Sequence, residues 1–94
     1  PENNEELHLP QLVYCASLGE IEQVKALLEQ GIDPNQTDDE GYSALQAAAE
    51  NGYLEIVQLL IQQGADAHYK SEYTALQLAE MADQQKIVEY LMNL

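Results

Sequence analysis

The feature of this sequence that most limits its possible folds is an internal repeat. Residues 41–66 form the complete unit, and an earlier copy aligns with it at a distance of 33 residues. The aligned pairs include Leu45 with Leu12, Ala49 with Ala16, Gly52 with Gly19 and Gly64 with Gly31. Repeats of this period are typical of architectures in which each unit buries its apolar face against its neighbours. We therefore expect a stacked solenoid rather than a single globular core.

The complete unit encodes two short helices. Ser43 and Gln46 form a capping box, in which each side chain can satisfy the other residue's backbone N–H, so the first helix is expected to begin near Ser43. Asn51 and Gly52 tolerate positive φ and end this helix. The second helix is apolar on more than one face and ends at Gly64. Each unit is therefore predicted to be a pair of helices.

A third copy follows the central unit at a distance of 31 residues, and it repeats the capping box as Thr74 and Gln77. The connection that precedes this copy is two residues shorter than the earlier connection. Polar residues, Gln85 among them, replace apolar residues of the central unit, and in the first copy Gln23 stands where the central unit has Ile56. The outer copies are therefore predicted to be polar caps around the central pair.

The central unit resembles an ankyrin repeat. The positions that agree with the pattern of that family are Asp38, Gly41, Ser43, Leu45, Ala48, Ala49, Gly52, Leu54, Glu55, Ile56, Val57, Leu59, Leu60, Ile61, Gly64, Ala65 and Asp66. The resemblance covers residues 10–94 and implies an all-α fold, an ankyrin-type solenoid of helical pairs with short β-hairpin-like fingers. It divides the chain into a polar leader, 1–9, and repeats at about 10–37, 38–70 and 71–94.

Two residues of the central unit depart from the family pattern. Ala44 replaces the proline, and Gln46 replaces the histidine whose imidazole ties neighbouring repeats together in the family. We expect the capping box of Ser43 and Gln46 to provide a local substitute for that contact.

The charge of the chain limits the partners it can bind. Asp and Glu number 17 against three lysines, which gives a formal net charge of −14. Binding to nucleic acids or anionic membranes requires the opposite sign, and no apolar run approaches the roughly 20 residues of a membrane span. We expect a cytoplasmic chain that is monomeric by itself. Its acidic excess either keeps like chains apart or serves a basic protein partner.

No arrangement of residues indicates catalysis or metal binding. His8 and His68 have no partner at ligand spacing, and neither a Ser/His/Asp set nor a glycine-rich phosphate loop is present. The acidic run at 38–41 lacks the spacing of a calcium loop and is predicted to be a hairpin turn. Cys15 occupies a small buried position, which favours a packed thiol over a reactive one. We expect no enzymatic activity, cofactor or metal.

The resemblance implies binding through the finger tips and the exposed edge of the first helix of each pair. The candidate partner-binding residues are Asp39, Glu40, Tyr42, Glu50, Asn51, Ser71, Glu72, Tyr73 and Met81, with Ser17, Leu18 and Ala82 at further helix-edge positions. Tyr42 and Tyr73 hold equivalent places, and tyrosine is frequent at binding hot spots. The alternative is that both rings only pack across neighbouring fingers.

Two functions are compatible with these residues. The first is a non-enzymatic protein-protein interaction module that binds a basic partner. The second is a free-standing acidic inhibitor or immunity-type protein that masks a basic active or nucleic-acid-binding face.

Overall fold

The computed structural model describes residues 10–94, which form three consecutive pairs of helices. The helices are α1 (Gln11–Leu18), α2 (Ile21–Glu29), α3 (Ala44–Asn51), α4 (Leu54–Gln62), α5 (Ala75–Met81) and α6 (Gln85–Met92). The prediction of an all-α solenoid is therefore confirmed. The predicted leader, 1–9, and His8 within it lie outside the described residues.

Two β-bridges define the fingers between the pairs. Thr37 pairs with Ser43 to close the first finger, 37–43, and Lys70 pairs with Thr74 to close the second finger, 70–74. The second finger is shorter by two residues, as the shorter connection in the sequence predicts. Both fingers lead directly into the first helix of the next pair.

Capping boxes begin both helices that follow a finger. At α3, Ser43 Oγ accepts a hydrogen bond from the Gln46 backbone N–H at 3.1 Å, and Gln46 Oε1 accepts one from the Ser43 N–H at 2.8 Å. The same reciprocal pair joins Thr74 and Gln77 at α5, at 3.1 and 2.9 Å. Both predicted capping boxes are confirmed.

The helices form two layers. Helices α1, α3 and α5 pack side by side in an inner layer, and α2, α4 and α6 form the outer layer. The central pair is the most buried, because residues 44–49 of α3 and Ile56, Val57 and Leu60 of α4 are all enclosed. Four alanines in α3 allow both neighbouring helices to approach closely. Each pair is thus stabilised by its neighbours, as in other repeat solenoids.

The outer pairs expose polar residues where the central pair is apolar. Gln23 is exposed at the position equivalent to Ile56, which is only 2% exposed, and Gln85 is exposed at the other end of the stack. The predicted roles of the first and third pairs as caps are consistent with this pattern of burial.

Gln46 also ties the central repeat to the third. Its side chain is 1% exposed, and its Nε2 donates to Ser71 Oγ at 3.0 Å and to the Tyr73 carbonyl at 2.6 Å. The expectation of a purely local substitute was incomplete, because an amide can accept with its oxygen and donate with its nitrogen at the same time. Gln46 therefore caps α3 and holds the second finger in place.

Candidate protein-binding groove

A groove of about 700 Å³ lies between the two fingers and the exposed edges of α3 and α5. The residues that line it are Asp38, Glu40, Tyr42, Glu50, Ser71, Glu72, Tyr73, Leu78 and Met81. We call this set the acidic groove. Both fingers contribute to it, so its shape depends on the contact that Gln46 makes between them.

The structure brings most of the candidate partner-binding residues together in the acidic groove. Those that line it are Glu40, Tyr42, Glu50, Ser71, Glu72, Tyr73 and Met81. Asp39 is exposed on the first finger but does not line the groove. Asn51 also lies outside the lining, and its Nδ2 donates to the Ala47 carbonyl of its own helix at 2.9 Å.

Four carboxylates give the groove its charge. Asp38 Oδ1 accepts hydrogen bonds from the backbone N–H groups of Glu40 and Tyr42, both at 2.9 Å, so this carboxylate shapes the first finger. Glu40, Glu50 and Glu72 are exposed, and none of the three lysines of the chain lines the groove. Like charges around a concave surface concentrate the negative potential there. The described part of the groove therefore has a negative electrostatic potential.

Tyr42 and Glu50 are joined by a hydrogen bond within the acidic groove. The half-buried Tyr42 ring packs against the core, and its hydroxyl donates a hydrogen bond to the Glu50 carboxylate. Burial raises the pKa of Tyr42, and the hydrogen bond and charge of Glu50 and the charge of Asp38 raise it further. The hydroxyl is therefore a hydrogen-bond donor at neutral pH, and it restricts the orientation of the Glu50 carboxylate.

The two equivalent tyrosines differ in exposure. Tyr73 is 41% exposed and is held by its backbone carbonyl, which accepts from Gln46 and from the Ser71 N–H at 3.3 Å. Its ring is therefore available to a ligand, whereas the Tyr42 ring is largely used in packing. The alternative interpretation, in which both rings only pack, thus describes Tyr42 better than Tyr73.

The acidic groove is also lined by apolar side chains. Met81 is 64% exposed, and Leu78 of the same helix, which is 8% exposed, also lines the groove. Exposed apolar side chains next to polar ones are typical of protein-binding surfaces. The groove thus offers carboxylates, an aromatic ring and a flexible thioether to one ligand.

Two groove residues were missed in the sequence analysis. Asp38 lies in the predicted hairpin turn at 38–41, and its carboxylate accepts from the backbone N–H groups of that turn, so its sequence signal indicates the turn and not the groove. Leu78 carries no such signal, since its place in the groove depends on how α5 packs against α3.

The remaining chemically distinctive residues, Cys15 and His68, do not line the groove. Cys15 is buried, and desolvation, followed by the charge of Glu20, raises the pKa of its thiol. A thiol in this state reacts slowly, because the thiolate is the nucleophile. His68 is exposed, and residues 10–94 contain no group of three His, Cys, Asp or Glu side chains placed to hold a metal ion.

The stacked pairs and the fingers define a helical repeat protein with a groove between its fingers. Residues 12–94 match the family model described as ankyrin repeats in three copies. The chain therefore belongs to the ankyrin repeat family. Repeats of this family generally serve as protein-protein interaction modules.

Several curated proteins are similar to this chain. Mouse ankyrin repeat and SAM domain-containing protein 6 is 32% identical over 99 residues, covering 99% of this chain and 11% of that protein. The L-asparaginase of Dirofilaria immitis is 42% identical over 65 residues, 68% of this chain and 11% of the enzyme. Human ankyrin repeat domain-containing protein 39 is 37% identical over 62 residues, 65% of this chain and 34% of that protein. The chain thus spans between about a tenth and a third of these relatives.

Proposed function

We propose that this chain is a non-enzymatic protein-interaction module that binds a basic protein partner through the acidic groove. The observation that carries the proposal is the groove itself, where Glu40, Glu50 and Glu72 share one concave surface with the exposed side chains of Tyr73 and Met81, and no lysine is among the lining residues. Membership of the ankyrin repeat family supports a protein ligand. The sign of the charge then selects a partner that presents lysine or arginine.

The net charge of −14 and the exposed rings have different roles in this proposal. A strongly negative surface accelerates the encounter with a basic partner, and it does so most at low ionic strength. Affinity depends more on a few side chains that pack closely against the partner. Tyr73 and Met81 are the exposed large apolar side chains of the groove that can do so. We therefore expect salt to act mainly on the association rate.

The partner in this proposal is a protein rather than a nucleic acid or a membrane. Phosphate groups would be repelled by a chain with three lysines and a net charge of −14. Within residues 10–94, no helix combines the length and apolar character needed to cross a bilayer. We also propose that the chain is monomeric by itself and acts in the cytoplasm.

A displayed library of random peptides tests the proposal. Immobilised wild-type protein selects binders at low salt, and the affinities of the selected peptides are measured against the Glu50→Gln and Glu72→Gln variants. We expect the selected peptides to be rich in lysine and arginine and to lose about five- to ten-fold in affinity on either change, a loss of roughly 1–1.4 kcal/mol.

Glu89→Gln is the matched control, because Glu89 is an exposed glutamate of α6 outside the groove lining. This variant removes the same charge without altering the proposed contact surface, so its affinity should stay within about two-fold of wild type. Selected peptides without basic residues, or equal losses for all three variants, would contradict the proposal.

A further inference from the structure

Exposed apolar side chains lie on the repeats at both sides of α3, which carries Glu50. Met81 and Tyr73 are on the side of the third repeat, 64% and 41% exposed. On the side of the first repeat, Tyr14 and Leu18 are 50% and 49% exposed. Tyr14 and Leu18 are four residues apart on α1 and therefore share one face of that helix.

The repeat register places Leu18 next to the edge of the inner layer that lines the groove, one residue after Ser17, the equivalent of Glu50. Leu18 is equivalent to Asn51 of α3, which follows Glu50, and Met81 is equivalent to Glu50 itself. Because α3 packs between α1 and α5, Glu50 lies between the two apolar positions. The exposed edge of the inner helices thus runs from apolar through acidic to apolar.

The spacing of packed helices gives the length of this edge. Neighbouring helices pack about 8–10 Å apart, so the distance from α1 to α5 is roughly 16–20 Å. An extended peptide covers about 3.3 Å per residue, and five or six residues therefore span the edge. A helical segment would need roughly twice as many residues, since its rise is about 1.5 Å per residue.

We propose that the partner segment is an extended peptide with a lysine or arginine in its central part and an apolar side chain at each end, six residues apart, because side chains at even spacing share one face of an extended peptide. The inference rests on the proposed function and narrows its ligand from a basic protein to this pattern. The central cation pairs with Glu50, and the apolar ends contact Leu18 on one side and Met81 with Tyr73 on the other.

The fixed position of Glu50 supports a cation at the centre. The hydrogen bond from Tyr42 holds one part of the carboxylate, and an ionised carboxylate can still accept further hydrogen bonds from an ammonium or guanidinium group. At the two ends of the edge, Leu18 and Met81 instead favour apolar side chains of the partner, because burial of apolar surface away from water is favourable. Charge alone would attract any basic peptide, whereas this order of side chains selects among them.

Two synthetic peptides of identical composition test the pattern by fluorescence anisotropy on the wild-type chain. The matched peptide has seven residues, with leucine at both ends, serine next to each leucine and Lys-Arg-Lys in the centre. The rearranged peptide has both leucines side by side at one end. We expect the matched peptide to bind about ten-fold more tightly, because only it reaches both apolar positions.

Variants of the chain locate the contacts of the matched peptide. Leu18→Ser and Met81→Ser are each expected to weaken binding about five-fold, and Glu50→Gln about ten-fold. Met92→Ser is the control for Met81→Ser, because Met92 on α6 is 65% exposed and lies outside the groove lining. Thermal melting of each variant shows that the chain remains folded.

The outcomes distinguish this inference from the proposed function. Equal affinity for the two peptides, no binding of either, or unchanged affinity in both Leu18→Ser and Met81→Ser would overturn the apolar–cationic–apolar pattern. A loss of affinity in Glu50→Gln alone would still support a basic partner but would contradict the apolar–cationic–apolar pattern. If Glu50→Gln also binds the selected library peptides as wild type does, the proposed function fails as well.

Discussion

At the scale of single residues, the Tyr42 hydroxyl connects the core to the charge of the groove. Tyr42→Phe keeps the packed ring and removes only the donor to Glu50. We expect affinity for the selected basic peptides to fall about three- to ten-fold, since one hydrogen bond contributes roughly 0.5–1.5 kcal/mol. Tyr42→Ala would be less informative, because the half-buried ring also packs against the core.

The same hydroxyl predicts a pH dependence of stability. The pKa of Tyr42 is raised in the folded chain, mainly by burial, above its ordinary value of about 10. The folded state therefore retains this proton more strongly, and the resulting stability is present below about pH 10 and is lost as the pH rises further. Denaturant unfolding should show a steeper decline above pH 10 for wild type than for Tyr42→Phe. Parallel curves would contradict the assignment.

Two glycines separate backbone strain from crowding. Gly64 has a φ of +103° and open space where a Cβ would lie, so Gly64→Ala should cost about 1 kcal/mol of unfolding free energy from strain alone. Gly19 has a φ of +80°, and a Cβ there would lie 2.7 Å from the Tyr53 ring. Gly19→Ala should therefore cost at least about 1 kcal/mol more. Equal losses would show that the ring moves aside freely.

At the scale of helices and fingers, Gln46 and Gln77 make the same capping box in different surroundings. Both accept from a capping backbone N–H, but Gln46 is buried and also donates to Ser71 and Tyr73 of the second finger. Gln77→Ala should cost about 0.5–1 kcal/mol, because it removes the hydrogen bond from the Thr74 N–H and keeps the one from the backbone N–H of residue 77 to Thr74 Oγ1. Gln46→Ala should cost roughly 2 kcal/mol more, because it leaves the N–H of the buried Ser43 without this partner and also removes both hydrogen bonds to the second finger. Chemical denaturation that gives equal losses would contradict the contact between the repeats.

The helices and their ends could be predicted from sequence because their determinants are local. The capping residue Ser43 lies three positions from Gln46, and the helix-ending Gly64 follows α4 closely, so each signal can be seen within one turn. The tie between Gln46 and Ser71 joins residues 25 positions apart and depends on stacking.

The groove residues were predictable to a similar extent. Equivalence between repeats indicated the finger and helix edges that line the groove, but it could not show that the Asn51 amide bonds back to its own helix. It also could not show that the Tyr42 ring is half-buried, because that depends on the packing of the folded core.

At the scale of the whole molecule, stability depends on the central pair. Leu60 is fully buried in α4, and Leu60→Ala should cost roughly 2–5 kcal/mol, a large share of the stability of a domain of this size. Because both outer pairs pack on the central one, we expect amide hydrogen exchange to accelerate in all three repeats together. Continued protection of the first or third repeat would show that the pairs unfold independently.

The most direct test of the central claim is to map a bound peptide onto the chain by amide chemical shifts. A library-selected basic peptide is titrated into the isotope-labelled wild-type protein at low salt. Binding in the acidic groove should shift the amides of Glu50, Ser71, Glu72 and Tyr73 most, and Glu50→Gln should reduce these shifts at the same peptide concentration. The outer face of α4, at Gln58 and Gln62, should remain unchanged. Shifts that are centred on Gln58 and Gln62, with the groove amides unaffected, would show that the partner binds the opposite side of the solenoid.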